Sequence, residues 1–375
     1  MASSREEDSL KTACLGIEKN NPAIKQLEID YLISWSDLSH MYPQWAGISW
    51  DCHPNGNVSV HHRTCSITPR EFWSRISQVI SNSSTIREIG IKYTNSSNHR
   101  TIEPETLQSL QMVYEGLEQN TLINTLGLFL IRITPDGDTA PLPTLNLQRF
   151  VQNNQNFTCL KLSSFGMLSV EQGKMIKAVL EGESSLKELT LVDYHKYRYV
   201  RCDFDSNETL GQIITSCWKL KSLVVQCENM STYTAVADLL RNPAAKLVEL
   251  RLVLRGDAVQ GLSAILAGLC MNKKLSSLHL GDNNVTDDLD QQLIGTLVCD
   301  TSSIKSICNS NDSFKYVDRE QELSSFVKEC LQLNQNRNKT QVIRQKISTY
   351  FFVGNFDDIP VPLLPRVMNL WWRCW

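Results

Sequence analysis

The sequence predicts an α/β solenoid in which short strands alternate with helices and stack side by side into one parallel sheet. Three observations predict it. The spacing L-x-x-L-x-L recurs along most of the chain, a helical pattern follows it in most copies, and the same helix-start chemistry opens several of those patterns. The fullest copy is Leu275-Ser-Ser-Leu278-His-Leu280-Gly-Asp-Asn283-Asn-Val285. Leu278 and Leu280 alternate with polar residues at period two, so they face one way from a strand. A single such unit cannot bury its leucines, which makes stacked copies a requirement of the pattern.

Copies begin at Ile86, Ile123, Phe157, Leu186, Leu220, Leu247, Leu275 and Ile304, with successive starts 27 to 37 residues apart. This pattern resembles the leucine-rich repeat, and the 27–29-residue steps at the C-terminal end are similar to the ribonuclease-inhibitor type. The resemblance runs over roughly residues 86–330 and implies a right-handed horseshoe with the parallel sheet on its concave face. The physical reason for a curve is a mismatch of spacing: strands stack about 4.8 Å apart, whereas packed helices need about 8–10 Å. One departure stands out. The positions equivalent to Asn283 hold Thr94, Ile131, Phe165, Tyr194, Glu228, Arg255 and Asp312, so an asparagine ladder after the strands is nearly missing.

In chain order, residues 1–80 read as an N-terminal cap, 81–320 as the repeats, and 321–375 as a helical C-terminal cap and tail. Ile24-Lys-Gln-Leu27-Glu-Ile29 offers a first strand, and Val58-Ser-Val60 a strand between it and Ile86. Trp35, Trp45 and Trp50 lie in the irregular stretch between, as expected of a cap over an open sheet edge. Thr68-Pro69-Arg-Glu71 is a helix start, with Thr at N-cap, Pro at N1 and Glu at N3; Ile76, Val79 and Ile80 then share a face. Glu103-Pro104, Ser169-Val-Glu-Gln172 and Asp257-Ala-Val-Gln260 open further helices, and one after Asn283 is expected to bury Leu289, Leu293, Leu297 and Val298. Residues 134–146 and 192–206 read as loop insertions after strands, where binding function concentrates. Phe326, Val327, Cys330 and Leu331, then Val342, Ile343, Ile347 and Tyr350, mark two terminal helices. The apolar tail ending Trp371, Trp372 and Trp375 is expected to fold back on the last repeat, the alternative being contact with a partner or a membrane.

Composition narrows the function classes. With 37 basic and 40 acidic residues, net charge −3, there is no electrostatic case for a nucleic acid or an anionic membrane surface. The absence of an apolar signal segment and of a long apolar run leads to the expectation of a cytoplasmic protein, the nucleus remaining open, without a transmembrane segment. Twelve scattered cysteines are then expected to stay reduced. No phosphate-binding loop, dinucleotide fingerprint, nucleophile elbow or H-E-x-x-H motif occurs, so no catalytic residue, metal or cofactor is expected. Cys52, His53, His61, His62 and Cys65 form the densest metal-capable group, yet they contain no C-x-x-C pair and read better as polar cap residues.

What remains is the outward strand face. Its candidates for partner contact are Lys92, Phe129, Lys161, Glu188, Glu249, Arg251 and His279, a mixed surface better suited to a protein than to a phosphate backbone. The expected function is a non-catalytic protein-binding scaffold using that face and the post-strand loops, its protein partner unspecified. The resemblance also implies two alternatives, a regulator of a small GTPase and a substrate-recognition adaptor of a ubiquitin ligase. The acidic tail usual in one GTPase-directed group is missing here, and no N-terminal F-box is evident.

Overall fold

The computed structural model describes residues 26–33, 48–52, 57–62, 69–95, 104–132, 145–163, 170–182, 185–192, 204–254, 258–280, 295, 297–317, 324–336 and 338–351. The chain divides into two compact units, residues 1–213 and 214–375.

In the first unit the strands are β1 (Gln26–Ile33), β2 (Ile48–Cys52), β3 (Asn57–His62), β4 (Glu88–Asn95), β5 (Thr125–Arg132), β6 (Cys159–Ser163) and β7 (Glu188–Val192). They are ordered β2-β3-β1-β4-β5-β6-β7. Pairing is parallel except between β2 and β3. The leucine frames fall on matching register positions: Ile89, Leu126, Leu160 and Leu189 form one row, and Ile91, Leu128, Leu162 and Leu191 the next. All eight are buried. At about 1.5–3 kcal/mol for each fully buried aliphatic side chain, these rows are the main source of cohesion between rungs.

The second unit repeats the design with β8 (Ser222–Cys227), β9 (Glu249–Leu254), β10 (Ser277–His279) and β11 (Tyr316–Val317), in that order and all parallel. Leu223, Leu250, Leu278 and Val317 make its inner row, each at most 2% exposed. Just before each strand, one backbone carbonyl accepts from two successive amides of the next rung: Lys221 O from Val248 and Glu249, Val248 O from Ser276 and Ser277, Ser276 O from Lys315 and Tyr316. The polar backbone is thereby satisfied from rung to rung as the leucines are sealed.

The described helices are α1 (Pro69–Asn82), α2 (Pro104–Gln119), α3 (Leu147–Asn153), α4 (Val170–Glu181), α5 (Phe204–Ser216), α6 (Met230–Arg241), α7 (Ala258–Met271), α8 (Ile304–Asn309), α9 (Ser325–Asn334) and α10 (Lys339–Lys346), the last running into a π turn, Ile347–Phe351. The expected faces are buried: Ile76, Val79 and Ile80 on α1, Leu262, Ile265, Leu266 and Leu269 on α7, Val327, Cys330 and Leu331 on α9. Two neighbouring helix pairs approach through glycine. A Cβ on Gly116 of α2 would lie 2.5 Å from the Ser77 carbonyl oxygen, and one on Gly268 of α7 would lie 2.8 Å from that of Ala237. Among the described residues no helix is long and apolar enough to cross a membrane.

An asparagine series does exist, at the ends of the helices and not after the strands. Asn120, Asn272 and Asn311 each stand three residues before the first apolar residue of a frame, and all are at least 95% buried. Asn272 Nδ2 donates to Leu240 O, while its Oδ1 accepts from the amides of Lys274 and Leu275. Asn120 donates to Ile80 O and Ser83 O, and Asn311 to Leu269 O and Asn272 O. Asn334 continues the donation to Asn311 O and Phe314 O. At Ile80 O, Leu240 O and Leu269 O these side chains satisfy carbonyls that a helix end leaves open, and their other bonds clamp one repeat to the next. Asn283 lies outside the described residues, as do Leu289 and Leu293; Leu297 and Val298 are buried as expected.

Three sequence expectations are corrected. The frame at Ile304-Lys-Ser-Ile307 is helix α8, with the Ser303 hydroxyl capping the Ser306 amide. An i, i+3 apolar pair suits a helix as well as a strand, and local capping decides it here. The rung after β10 is instead β11, placed by Asn311 and Phe314. The third concerns β3, which stands on the far side of β1 from β4, so β1 and β4 pair directly. The β2–β3 hairpin thus covers the outer edge of β1, and an antiparallel strand forms the end of the sheet. The tail with Trp371, Trp372 and Trp375 and most of the two loop insertions lie outside the described residues.

Candidate protein-binding face

Alternation along the strands turns every second residue away from the leucine rows. In the second unit this produces register rows Ser222–Glu249–Ser277–Tyr316, Val224–Arg251–His279 and Gln226–Val253. His279 is the centre of the group. Its Nε2 lies 3.5 Å from Glu249 Oε1 and 3.1 Å from Ser277 Oγ, and its ring stands 5.1 Å from that of Tyr316, tilted by 49°. The imidazole is therefore held by a carboxylate, a hydroxyl and an aromatic ring from three adjacent strands. Tyr316 is 44% exposed and the Glu249 side chain 48%, while the His279 side chain is 16% exposed. Arg251, exposed, is the register neighbour of His279. The result is an aromatic and charged surface on a rigid sheet.

Serine, histidine and a carboxylate in contact invite comparison with a nucleophile relay. In such a relay the acid holds Nδ1 and leaves Nε2 for the serine. Here Glu249 and Ser277 both approach Nε2. The geometry suits a recognition surface better than a proton relay.

In the first unit the rows are Glu88–Thr125–Cys159–Glu188, Gly90–Gly127–Lys161–Thr190 and Lys92–Phe129–Ser163–Val192. Lys161 and Glu188 stand on neighbouring strands, two register positions apart, both exposed. They flank Cys159, which is 6% exposed. Burial pushes the Cys159 thiol up to about 11; the Lys161 charge opposes this, while Glu188, which accepts the thiol hydrogen bond, and Glu88 reinforce it. Val192 is buried too, so this face is partly closed to solvent. Lys92 and Phe129 are register partners on β4 and β5.

Sequence reasoning reached Glu249, Arg251 and His279, and Lys161 with Glu188, but missed Tyr316. A signal was present: Asn311-x-x-Phe314 repeats the spacing of Asn272-x-x-Leu275 and puts Tyr316 level with Ser277. The metal-capable residues fare otherwise. Cys52 pairs with Val58, His61 with Ser49 and His62 with Ile48, so Cys52 is three or four positions from the histidines along the ladder, about 10–13 Å. His53 and Cys65 lie outside the described residues, among which no group of three metal-capable side chains occurs.

Comparison with models of known protein families gives no match to this chain, and comparison with curated proteins gives none either.

Proposed function

We propose that the chain is a leucine-rich-repeat protein of the ribonuclease-inhibitor-like type and serves as a non-catalytic protein-binding scaffold. The observation that supports this reading best is the grouping of Glu249, Arg251, His279 and Tyr316 on one strand face, with Ser277 orienting the imidazole. Residues held from three strands lose little freedom on binding, and tyrosine and arginine are enriched at the energetic centres of interfaces. A mixed-charge surface with an exposed aromatic suits a protein epitope better than a polyanion.

The test places a photo-crosslinking amino acid at Val224 or Arg251 and, as a control, at the exposed Gln260 on α7. Under this reading a protein adduct forms from the strand face and not from Gln260. The combined Glu249→Ala, His279→Ala, Tyr316→Ala variant then weakens capture of that partner by tenfold or more. Equal adducts from both positions, or capture unchanged by the triple variant, would refute it. A small GTPase or a ligase subunit as the specific adduct would sharpen the reading toward regulator or adaptor.

A further inference from the structure

In the second unit a cluster of reactive groups lies apart from the strand face. Cys299 directly follows the buried Val298, Cys330 is on α9 and Lys346 ends α10. Cys299 is 2% exposed, Cys330 0% and Lys346 1%. The segments carrying the two thiols pack on each other: a Cβ on Gly295, whose carbonyl accepts from the Cys299 amide, would lie 3.6 Å from Val327 Cγ2, one helical turn before Cys330. Cys330 is the hydrogen-bond partner of Cys299, and Lys346 Nζ donates to Val298 O. Tyr350 donates to Glu329 Oε2 at 2.9 Å and stands beside Cys330. Both cysteines are free thiols.

A lysine ammonium is costly to bury unless something nearby carries negative charge. The titratable groups around Lys346 are Cys330, Cys299, Asp312 and Lys339, and Asp300 also bears on Cys299. Burial lowers the Lys346 ammonium from its ordinary range, and the two sulfurs and Asp312 oppose that. The hydrogen bond from Cys330 draws the Cys299 thiol down, against burial and with help from Lys346. Cys330, as the donor and buried, is pushed up. One sulfur is thus set up as nucleophile and the other as a thiol that keeps its proton.

We propose that Cys299 and Cys330 are an oxidisable dithiol that a hydroperoxide converts to a disulfide, with Lys346 as the cation positioning the nucleophilic sulfur. With hydrogen peroxide, the Cys299 thiolate attacks one oxygen. An S–O bond forms, the O–O bond breaks, and the departing hydroxide takes up the proton Cys299 released, giving sulfenic acid and water. The Cys330 sulfur then attacks the Cys299 sulfur. The S–S bond forms at about 2.05 Å, the S–O bond breaks, and the hydroxyl leaves as water with the Cys330 proton. Two thiols lose two electrons and one peroxide becomes two waters. Both sulfurs are buried, so the reaction requires local opening; Thr301 and Ser302, two and three residues beyond Cys299, are exposed. The bond ties α9, which carries the buried Asn334, to the segment at Cys299.

The experiment treats the intact chain with limiting hydrogen peroxide in native buffer, alkylates the remaining thiols and maps them by peptide mass. The expected result is a Cys299–Cys330 linked peptide lighter by two hydrogens, and a melting temperature raised by roughly 5 °C. Cys330→Ser should halt at a Cys299 sulfenic acid that dimedone traps, and Lys346→Met should slow the reaction by removing the charge that helps draw the Cys299 thiol down. If Cys299 and Cys330 stay alkylatable while the exposed Cys270 oxidises, the proposal fails. It fails equally if the link forms only in urea-unfolded chain. Should a variant not fold, mapping of the wild-type chain decides alone.

Discussion

The side-chain amide of Asn311 donates to the backbone carbonyl of Asn272, the residue in the equivalent place one repeat earlier, at 2.7 Å. Repeats in the second unit are therefore joined by a polar clamp as well as by leucines. Each such asparagine answers helix-end carbonyls that would otherwise be buried without partners.

Replacing Asn272 by alanine removes three hydrogen bonds and strands Leu240 O and two amides. The expected cost is about 2–4 kcal/mol, since unsatisfied buried groups cost more than a hydrogen bond returns. Asn272→Asp should be no milder, because its carboxylate faces the Leu240 carbonyl with no donor to offer. Urea unfolding of the two variants checks both; a change below about 1 kcal/mol would refute the clamp.

The glycines of the second unit should separate by what a methyl group meets. At Gly261 a Cβ falls 2.4 Å from the ring of Tyr233, a fully buried residue whose hydroxyl donates to Cys227 O. Gly261→Ala is expected to cost about 1–3 kcal/mol in forced repacking. At the helical Gly295 the nearest atom is Val327 Cγ2 at 3.6 Å, an ordinary contact. Gly295→Ala should therefore be neutral or stabilise by up to about 1 kcal/mol through helix propensity. Thermal melts of the pair in parallel give the comparison.

Adjacent residues on β9 should show the two faces of the sheet. Leu250 is 0% exposed, and Leu250→Ala is expected to cost about 2–5 kcal/mol through lost burial and the cavity left behind. Glu249 is half exposed, and Glu249→Ala should stay within about 0.5 kcal/mol while weakening partner capture. A stability loss at Glu249 comparable to that at Leu250 would contradict the assigned register.

Cys159 gives the first unit a signature in alkaline solution. Its thiol is raised from 9.0 to about 11 in the folded chain, so the unfolded chain ionises first. Its contribution to stability is complete below pH 9 and is lost as pH rises from 9 toward 11. Cys159→Ser should flatten this decline, and Glu188→Gln should reduce it, since the carboxylate is one of the causes that raise the thiol. Denaturant unfolding at pH 8 and pH 10 measures the difference. An identical slope in all three proteins would rule the assignment out.

How much was legible varied with the kind of signal. Leu126, Leu160 and Leu189 could be placed on rungs because period-two alternation and the L-x-x-L-x-L spacing are written along the chain. Helix starts at Pro69, Pro104 and Ala258 were legible from sequence chemistry: proline at the first helical position in two, an acidic residue just before it in two. The frame at Ile304 misleads because its apolar spacing serves two secondary structures, and the Ser303 cap selects the helix. Asn311 is hard to read from the chain because the repeat pattern it resembles places its asparagine after the strand, whereas here it stands before it. At the candidate site, Glu249 and His279 were named singly, and nothing in the chain between them shows that they touch.

Most of the rungs, and the side chains that seal them, follow from periodicities of two and 3.6 carried in contiguous residues; the last rung, β11, does not. The tertiary structure alone decided that β3 covers the far edge of β1, and that Glu249, Ser277, His279 and Tyr316 meet around one imidazole. Those outcomes depend on register between strands separated by some 25–40 residues. Register is settled by backbone hydrogen bonds and edge coverage across the sheet, neither of which leaves a periodic trace along the chain.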